Sequence, residues 1–268
     1  MRPYPMRLLH TLWHYRQFIG TSVRNEFVGR LARSRLGVSW MIIQPLVQSL
    51  VVAMVLSHLL AGKLPGVDSP YAYALYLLSG TLAWNLFQDL LMRCLTLFID
   101  HANLLKKLAF PRVCLPMVAL GTAAVNHVLL AFTTMGVFAL LGHYPSGAWL
   151  FLVFLVPLVM ALATGLGLTL GILNVFIRDI GQATPIVMQF LFWISPVIWM
   201  ASSLPPALGQ VLEWNPLFGL IGAFHEVLLF GRLPTLESLI PAIVLAAASL
   251  ICALFLFRKA SADLSDVV

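Results

Sequence analysis

Charged side chains are confined to a few short stretches of this chain, and long apolar stretches without formal charge separate them. Of the sixteen lysines and arginines in the 268 residues, seven lie among the first 35 positions and four lie between Arg93 and Arg112. Sixty per cent of the residues are hydrophobic and ten per cent are charged, which excludes an ordinary soluble domain. Because a charge at the centre of a bilayer is costly, we predict an all-α integral membrane protein that crosses the membrane several times.

The apolar stretches predict six transmembrane helices, each of roughly 20 residues or a little more. They are expected at residues 37–61, 71–92, 113–141, 148–177, 183–201 and 239–257. The chain then divides into an amphipathic segment over 1–36, a six-span domain over 37–258 and a tail over 259–268.

The distribution of basic residues predicts the orientation. An even number of spans puts both termini on one side, and fourteen lysines and arginines lie on that side. The opposite side has only Lys63 and Arg232. Because cytoplasmic loops collect lysine and arginine, both termini are expected in the cytoplasm. The same distribution explains the net charge of +6 better than binding to nucleic acid does.

Three regions outside the predicted spans have patterns of their own. In 7–35, apolar residues recur at three- and four-residue steps among the arginines, which predicts an amphipathic helix along the membrane surface; a mere topology signal is the alternative. In the loop over 100–112, leucines can share one side of a short helix that docks on a partner, or the loop is simply basic. In the external connection over 202–237, the apolar run 217–230 is too short for a span and suits a re-entrant or interfacial helix, with a surface loop as the alternative.

The sequence carries no pattern of an enzyme, a metal site or a nucleotide-hydrolysing protein. It contains no G-x-x-x-x-G-K-[ST], G-x-S-x-G, HExxH or CxxC. We interpret Cys94, Cys114 and Cys252 as buried structural thiols, and His58 and His127 as interior polar residues rather than metal ligands. We therefore expect no metal and no cofactor in this chain.

Intramembrane carboxylates are nearly absent, with Asp89 as the exception near the inner end of the second span. Proton-coupled carriers usually use carboxylate or histidine relays at mid-membrane, so a proton-coupled carrier is disfavoured. The energy for any transport is then expected from a separate ATPase subunit.

Aromatic and small residues mark two further features. The second and fifth spans carry Trp84, Phe87, Phe190, Phe192, Trp193 and Trp199. Aromatic faces stack on sugar rings, although the same residues also serve as core or lipid-facing side chains. On the fourth span, Gly167 and Gly171 permit close helix contact, within one chain or between two.

Six segments in order resemble the type-2 ABC exporter permeases that move polysaccharides, among them the O-antigen, capsule and teichoic-acid exporters. They are RLGVSWMIIQPL (35–46), LLSGTLAWNLF (77–87), NLLKKLAFPRVCLP (103–116), NVFIRDI (174–180), FWISPVIW (192–199) and EWNPLFGLI (213–221). The resemblance covers nearly the whole chain.

This resemblance implies a half-transporter that pairs with a second copy of itself. It also implies two copies of a separate P-loop ATPase subunit, which binds ATP and magnesium. The expected cargo is a polysaccharide such as O-antigen, linked to undecaprenyl pyrophosphate and exported across the bacterial inner membrane through a channel between the two permeases. No covalent chemistry is expected in this chain.

The resemblance also implies roles for particular residues. ATPase contacts are placed in the N-terminal helix, in the loop after the second span and in the loop after the fourth. The coupling residues in the two loops are then Asn103, Leu104, Leu105, Lys106, Lys107, Phe110, Arg112, Arg178 and Asp179. External gate helices map to 204–230. The channel candidates are Trp84, Phe87, Phe190, Trp193 and Trp199.

Arg30, Arg33 and Arg35 lie where a pyrophosphate would approach from the inner leaflet. Arginine binds phosphate in a planar, bidentate manner, which makes these three residues candidates for the carrier's head group. Anchoring to anionic membrane lipids is an equally good interpretation.

Two rival functions remain open from the residues. The first is export of a small molecule or drug by a related permease, against which the long N-terminal helix and the FPR-containing loop argue. The second is a membrane-embedded acyltransferase or lipid phosphatase. Such enzymes need clustered polar residues at a membrane face, and the sequence offers only the pair Arg178 and Asp179.

Overall fold

The computed structural model describes residues 13–33, 39–40, 43–44, 46–47, 51, 71–102, 111–200, 212 and 214–260. These residues form seven α-helices, one 3₁₀ helix and no strand. The all-α class is therefore confirmed for the part of the chain that is described. The predicted first span, 37–61, lies largely outside it.

Four helical segments are long and apolar enough to cross a membrane. They are α2 (Ala72–Asp100), α3 (Cys114–Leu140), α4 (Leu152–Phe176) with the 3₁₀ helix Gly147–Phe151 before it, and α7 (Leu236–Ala260). They coincide with the predicted second, third, fourth and sixth spans, and these four predictions are confirmed as apolar helices. The six-span topology as a whole stays a prediction.

Helix α2 continues past Met92, where we had ended the predicted span, and reaches Asp100. We had counted Arg93 with the basic residues of the loop that follows. In the structure the Arg93 guanidinium is paired with carboxylates, and the side chains of Cys94 and Phe98 beyond it are fully buried. The charge therefore does not end the helix.

Helix α5 (Asp179–Ile194) differs from the predicted fifth span in the opposite way. Its 16 residues cover about 24 Å at roughly 1.5 Å per residue, which is less than a hydrocarbon core of about 30 Å. The backbone becomes extended at Ser195 and the chain turns at Pro196, so the helix does not continue to 201. The apolar run from 195 onward is a buried turn, in which Val197 has no exposed surface.

A short helix, α6 (Pro216–Leu228), covers most of the predicted apolar run 217–230 and begins one residue before it. The Asn215 side chain caps it by accepting a hydrogen bond from the Leu217 amide at 3.0 Å, and Pro216 fits the first turn. One face is buried against α7, α2 and α4. The helix is therefore part of the bundle. Its role as an external gate stays a prediction.

Helix α4 lies at the centre of the bundle because its glycines let two helices come close. A Cβ at Gly167 would lie 2.7 Å from the Cys94 Cβ on α2, and a Cβ at Gly171 would collide with the Cys94 backbone. Gly165 faces Ser249 on α7 in the same manner. The small-residue pattern on this helix thus serves contacts within one chain.

The N-terminal helix α1 (Arg16–Arg33) packs against α3, with the Val23 side chain close to Gly121.

Of the cysteines, Cys94 and Cys114 are buried as expected, but Cys252 is exposed. Its position on an outward face of α7 corrects our prediction of three buried thiols.

Candidate functional site

Helices α2, α3 and α5 line a partly open cavity of about 800 Å³. Each helix contributes residues spaced three or four apart, which therefore lie on one face. The lining comprises Thr81, Trp84, Asn85, Leu86, Gln88, Asp89, Met92 and Arg93 from α2; Ala123, Asn126, His127 and Leu130 from α3; Pro185, Met188, Gln189, Phe192 and Trp193 from α5; and Gln44. The wall thus combines amide side chains with aromatic rings, on helices that are otherwise strongly apolar.

An ion-pair network closes one part of this wall. The Arg93 Nε donates to Asp89 Oδ1 at 2.8 Å, and its Nη1 donates to Glu26 Oε1 at 2.6 Å. Asp89 lies one turn earlier on α2, whereas Glu26 belongs to α1. The network therefore joins the N-terminal helix to the cavity wall.

The remaining carboxylate oxygens are also bonded. Thr122 donates to Glu26 Oε2 at 2.8 Å, and the Asn126 amide donates to Asp89 Oδ2 at 3.0 Å. Three helices thus share one network, and every carboxylate oxygen in it has a partner. The side chains of Arg93, Glu26 and Asp89 are 20%, 30% and 34% exposed, so the network lies at the border between protein and cavity.

Two polar atoms on the wall lack a partner within the described structure. They are Asn126 Oδ1 and His127 Nδ1, and both are buried. Buried polar atoms are usually hydrogen-bonded, so these two are exceptions, and neither atom is exposed to the cavity.

The predicted channel aromatics occupy different environments. Trp84 and Trp193 lie on the cavity wall. Trp84 is almost fully buried, donates from Nε1 to Gln88 and packs its ring on Phe192 with centroids 5.2 Å apart. Phe87 lies in the core, and Phe190 is 64% exposed on the outer face of α5. The role of these residues in a channel stays a prediction.

Trp199 lies near one end of the bundle rather than on the cavity wall, and it helps to fold the turn that follows α5. Its Nε1 donates to the Trp193 carbonyl oxygen at 2.8 Å. The hydroxyls of Tyr73 and Tyr76 on α2 donate to the Ile198 and Trp199 carbonyl oxygens of the same turn. Irregular backbone within a membrane needs such partners, so the two tyrosines hold this turn in place.

The imidazole of His225 on α6 is fixed against the same tyrosine pair. Its ring stacks on Tyr76 with centroids 3.8 Å apart, and its Nε2–H donates to the Tyr76 carbonyl oxygen at 3.1 Å. Helix α6 is therefore tied to α2 next to the turn that ends α5.

Most of the predicted coupling residues lie outside the described residues. These are Asn103, Leu104, Leu105, Lys106, Lys107 and Phe110. Of the three pyrophosphate candidates, Arg35 also lies outside the described residues. Arg30 and Arg33 belong to α1 by their backbone, and Arg112 precedes α3. Arg178 and Asp179 are exposed at the junction of α4 and α5.

The amides Asn85, Gln88, Asn126 and Gln189 were missed by our sequence analysis, as was Glu26. A signal was present, since Asn85 and Gln88 are polar residues three apart on an apolar helix. Glu26 is an acidic residue in an otherwise basic amphipathic segment. Nothing in the sequence showed that these positions meet.

Sequence comparisons with known proteins cover most of the chain. The family model described as ABC-2 type transporter matches residues 17–229, which include almost all of α1 through to α6. The O-antigen export system permease protein RfbA of Myxococcus xanthus is 26% identical over 250 residues, covering 92% of each chain. The protein of the same name from Klebsiella pneumoniae is 23% identical over 206 residues, or 76% of this chain and 77% of that protein. The polysialic acid transport protein KpsM of Escherichia coli is 22% identical over 241 residues, covering 87% and 89%.

Proposed function

Since the chain belongs to the ABC-2 type transporter family, and is a transporter subunit rather than an enzyme, we propose that it is the permease of a polysaccharide exporter. Its cargo in this proposal is a glycan of the O-antigen type on a lipid pyrophosphate carrier. The relatives named for O-antigen export support this cargo.

The observation that carries the proposal is the chemistry of the cavity wall. Amide groups donate to and accept from sugar hydroxyls, and aromatic faces stack on sugar rings. Asn85, Gln88 and Gln189 supply the amides, and Trp193 supplies an exposed ring. A small apolar drug would not need so many amides around it.

The permease acts in this proposal with a second copy of itself and two ATPase subunits. Helix α5 supports the pairing, because Ile186, Val187 and Phe190 form an outward apolar face and only Thr184 and Met188 of this helix are buried. A second copy on this face would extend the cavity into a passage between two chains. ATP and magnesium bind on the partner subunits, because this chain has no P-loop.

The carrier pyrophosphate enters from the inner leaflet in this proposal. Arg30 and Arg33 on α1, with Arg35 after it, are the candidate contacts for its oxygens. Gate helices at the outer end would include α6, which is tied to α2 through His225 and Tyr76.

The test of the proposed function is ATP-dependent export by the reconstituted complex, with Leu105→Asp as the decisive variant. Leu105 belongs to the loop proposed to dock on the ATPase, and a carboxylate there would spoil an apolar contact. We expect the variant to insert normally, to co-purify with less ATPase and to export at least tenfold less glycan. The control is Tyr144→Asp, which adds the same charge at an exposed position in the loop between α3 and α4. Normal assembly and normal export by Leu105→Asp would contradict the docking role.

The orientation makes a second prediction. If both termini are cytoplasmic in the inner membrane, then Arg232 faces the outside and Lys106 the inside. After replacement of the three native cysteines, we expect a cysteine at 232 to react with an impermeant reagent in intact cells. A cysteine at 106 should react only after the cells are opened. Labelling of 106 but not 232 in intact cells would reverse the orientation.

A further inference from the structure

The cavity wall has very little net charge. Among its described lining residues, the carboxylate and guanidinium groups are those of Asp89 and Arg93 alone. The other polar side chains on the wall are neutral amides, a threonine hydroxyl and the imidazole of His127. A cargo that passes along this wall meets dipoles rather than charges.

The single guanidinium on this wall is already neutralised. Arg93 binds Asp89 and Glu26 at the same time, so that one positive charge faces two negative ones. The guanidinium has further N–H groups, but the two carboxylates already offset its charge toward an incoming anion. The described part of the cavity therefore offers no uncompensated positive charge to a carboxylate on a sugar.

The neutral groups suit an uncharged sugar. The amides of Asn85 and Gln189 line the cavity, and each can both donate to and accept from a sugar hydroxyl. A carboxylate can only accept, so it uses their N–H groups alone and gains no counter-charge from them. An ion removed from water without a counter-charge loses several kcal/mol of hydration, and a polymer with one carboxylate per repeat would meet this loss at every step.

We propose, on the basis of the proposed function, that this cavity selects glycans whose repeating unit is uncharged and rich in hydroxyl groups. The wall formed by Asn85, Gln189, Asn126 and His127 is the specificity determinant. Each polymer carries one pyrophosphate, on its lipid carrier, and this group binds at the basic inner surface. Its charge is therefore compatible with a neutral passage for the repeating units.

The experiment uses inside-out vesicles that contain the permease and its ATPase, with two matched cargoes. One is a neutral hexose polymer on undecaprenyl pyrophosphate. The other is the same polymer after oxidation of one primary hydroxyl per repeat to a carboxylate. The measured quantity is glycan protected in the vesicle lumen after addition of ATP. We expect the oxidised polymer to move at least tenfold more slowly.

Two cavity variants place the selection on this wall. Gln189→Lys adds a counter-charge from the exposed face of α5, and we expect it to reduce the discrimination to threefold or less. The control is Tyr144→Arg, which adds a positive charge at an exposed position outside the cavity and should keep the full discrimination. Asn85→Lys on α2 provides a second test should Gln189→Lys not assemble.

Each outcome decides the inference. Equal rates for the two polymers in the wild-type complex overturn the inference and leave the proposed function in place. Unchanged discrimination in an assembled lysine variant assigns the selection to a site outside the cavity and also overturns it. ATP-dependent movement of neither polymer contradicts the proposed function and the inference together.

Discussion

The change Gly171→Ala is expected to destabilise the permease by about 3 kcal/mol, at the upper end of what overpacking costs in a protein core. The added Cβ collides with the backbone of Cys94 on α2, and a backbone atom cannot move aside as a flexible side chain can. Helices α2 and α4 would have to separate, and they form the most extensive contact in the bundle. The valine variant should not yield a folded protein at all.

The matched control is Gly136→Ala. This glycine lies within α3, and nothing would lie within 4 Å of its added Cβ. Because alanine is favoured over glycine inside a helix by about 0.5–1 kcal/mol, the control should be neutral or slightly more stable. Thermal unfolding of the purified proteins in one detergent measures both. If Gly171→Ala unfolds at the wild-type temperature, the close contact of α2 with α4 is not as described.

The change Arg93→Met is expected to abolish export while ATP hydrolysis continues. Its guanidinium holds Asp89 through Nε and Glu26 through Nη1, so its removal leaves two carboxylates facing each other. Removing one member of a fully buried pair costs about 3–5 kcal/mol. The partial exposure of this network reduces that to about 1–3 kcal/mol. The specific result is that α1 loses its charged link to the cavity wall.

The measurement is the amount of glycan exported per ATP hydrolysed, together with thermal stability. Restoring neutrality with Glu26→Gln and Asp89→Asn in the Arg93→Met background should recover most of the stability but not the export. The control is Arg232→Met, which removes an exposed arginine that is not part of this network. If Arg93→Met exports as much glycan per ATP hydrolysed as the wild type, the link between Arg93 and Glu26 does not transmit movement of α1.

Hydropathy was sufficient to predict α2, α3, α4 and α7 because a span is a property of one continuous segment. The end of α2 was misjudged because the charge of Arg93 was counted without its partners, one of which is 67 residues away. The end of α5 was misjudged because the run after Ile194 is as apolar as a span. What ends the helix there is a turn whose carbonyl groups are bonded by two tyrosines on α2.

The candidate site was less accessible from the sequence for the same physical reason. Trp84 and Trp193 were noted as aromatic residues and do lie at the cavity. The amides that surround them come from three helices, and each amide alone resembles an ordinary polar residue on a helix. Only the packing of α2, α3 and α5 shows that they form one surface.

The Arg93 network also bears on how the chain enters the membrane during synthesis. An arginine raises the free energy of inserting a helix, by up to about 2.5–3.5 kcal/mol at its centre. Asp89 lies one turn before Arg93, and Glu26 is translated long before α2 leaves the ribosome. Both counter-ions have therefore been synthesised when Arg93 leaves the ribosome. Helix α1 can already lie at the membrane surface, where Glu26 can pair with Arg93 as α2 inserts. A circular permutation that moved 13–33 to the end of the chain would reverse this order, and α2 would then have to insert without its second counter-ion.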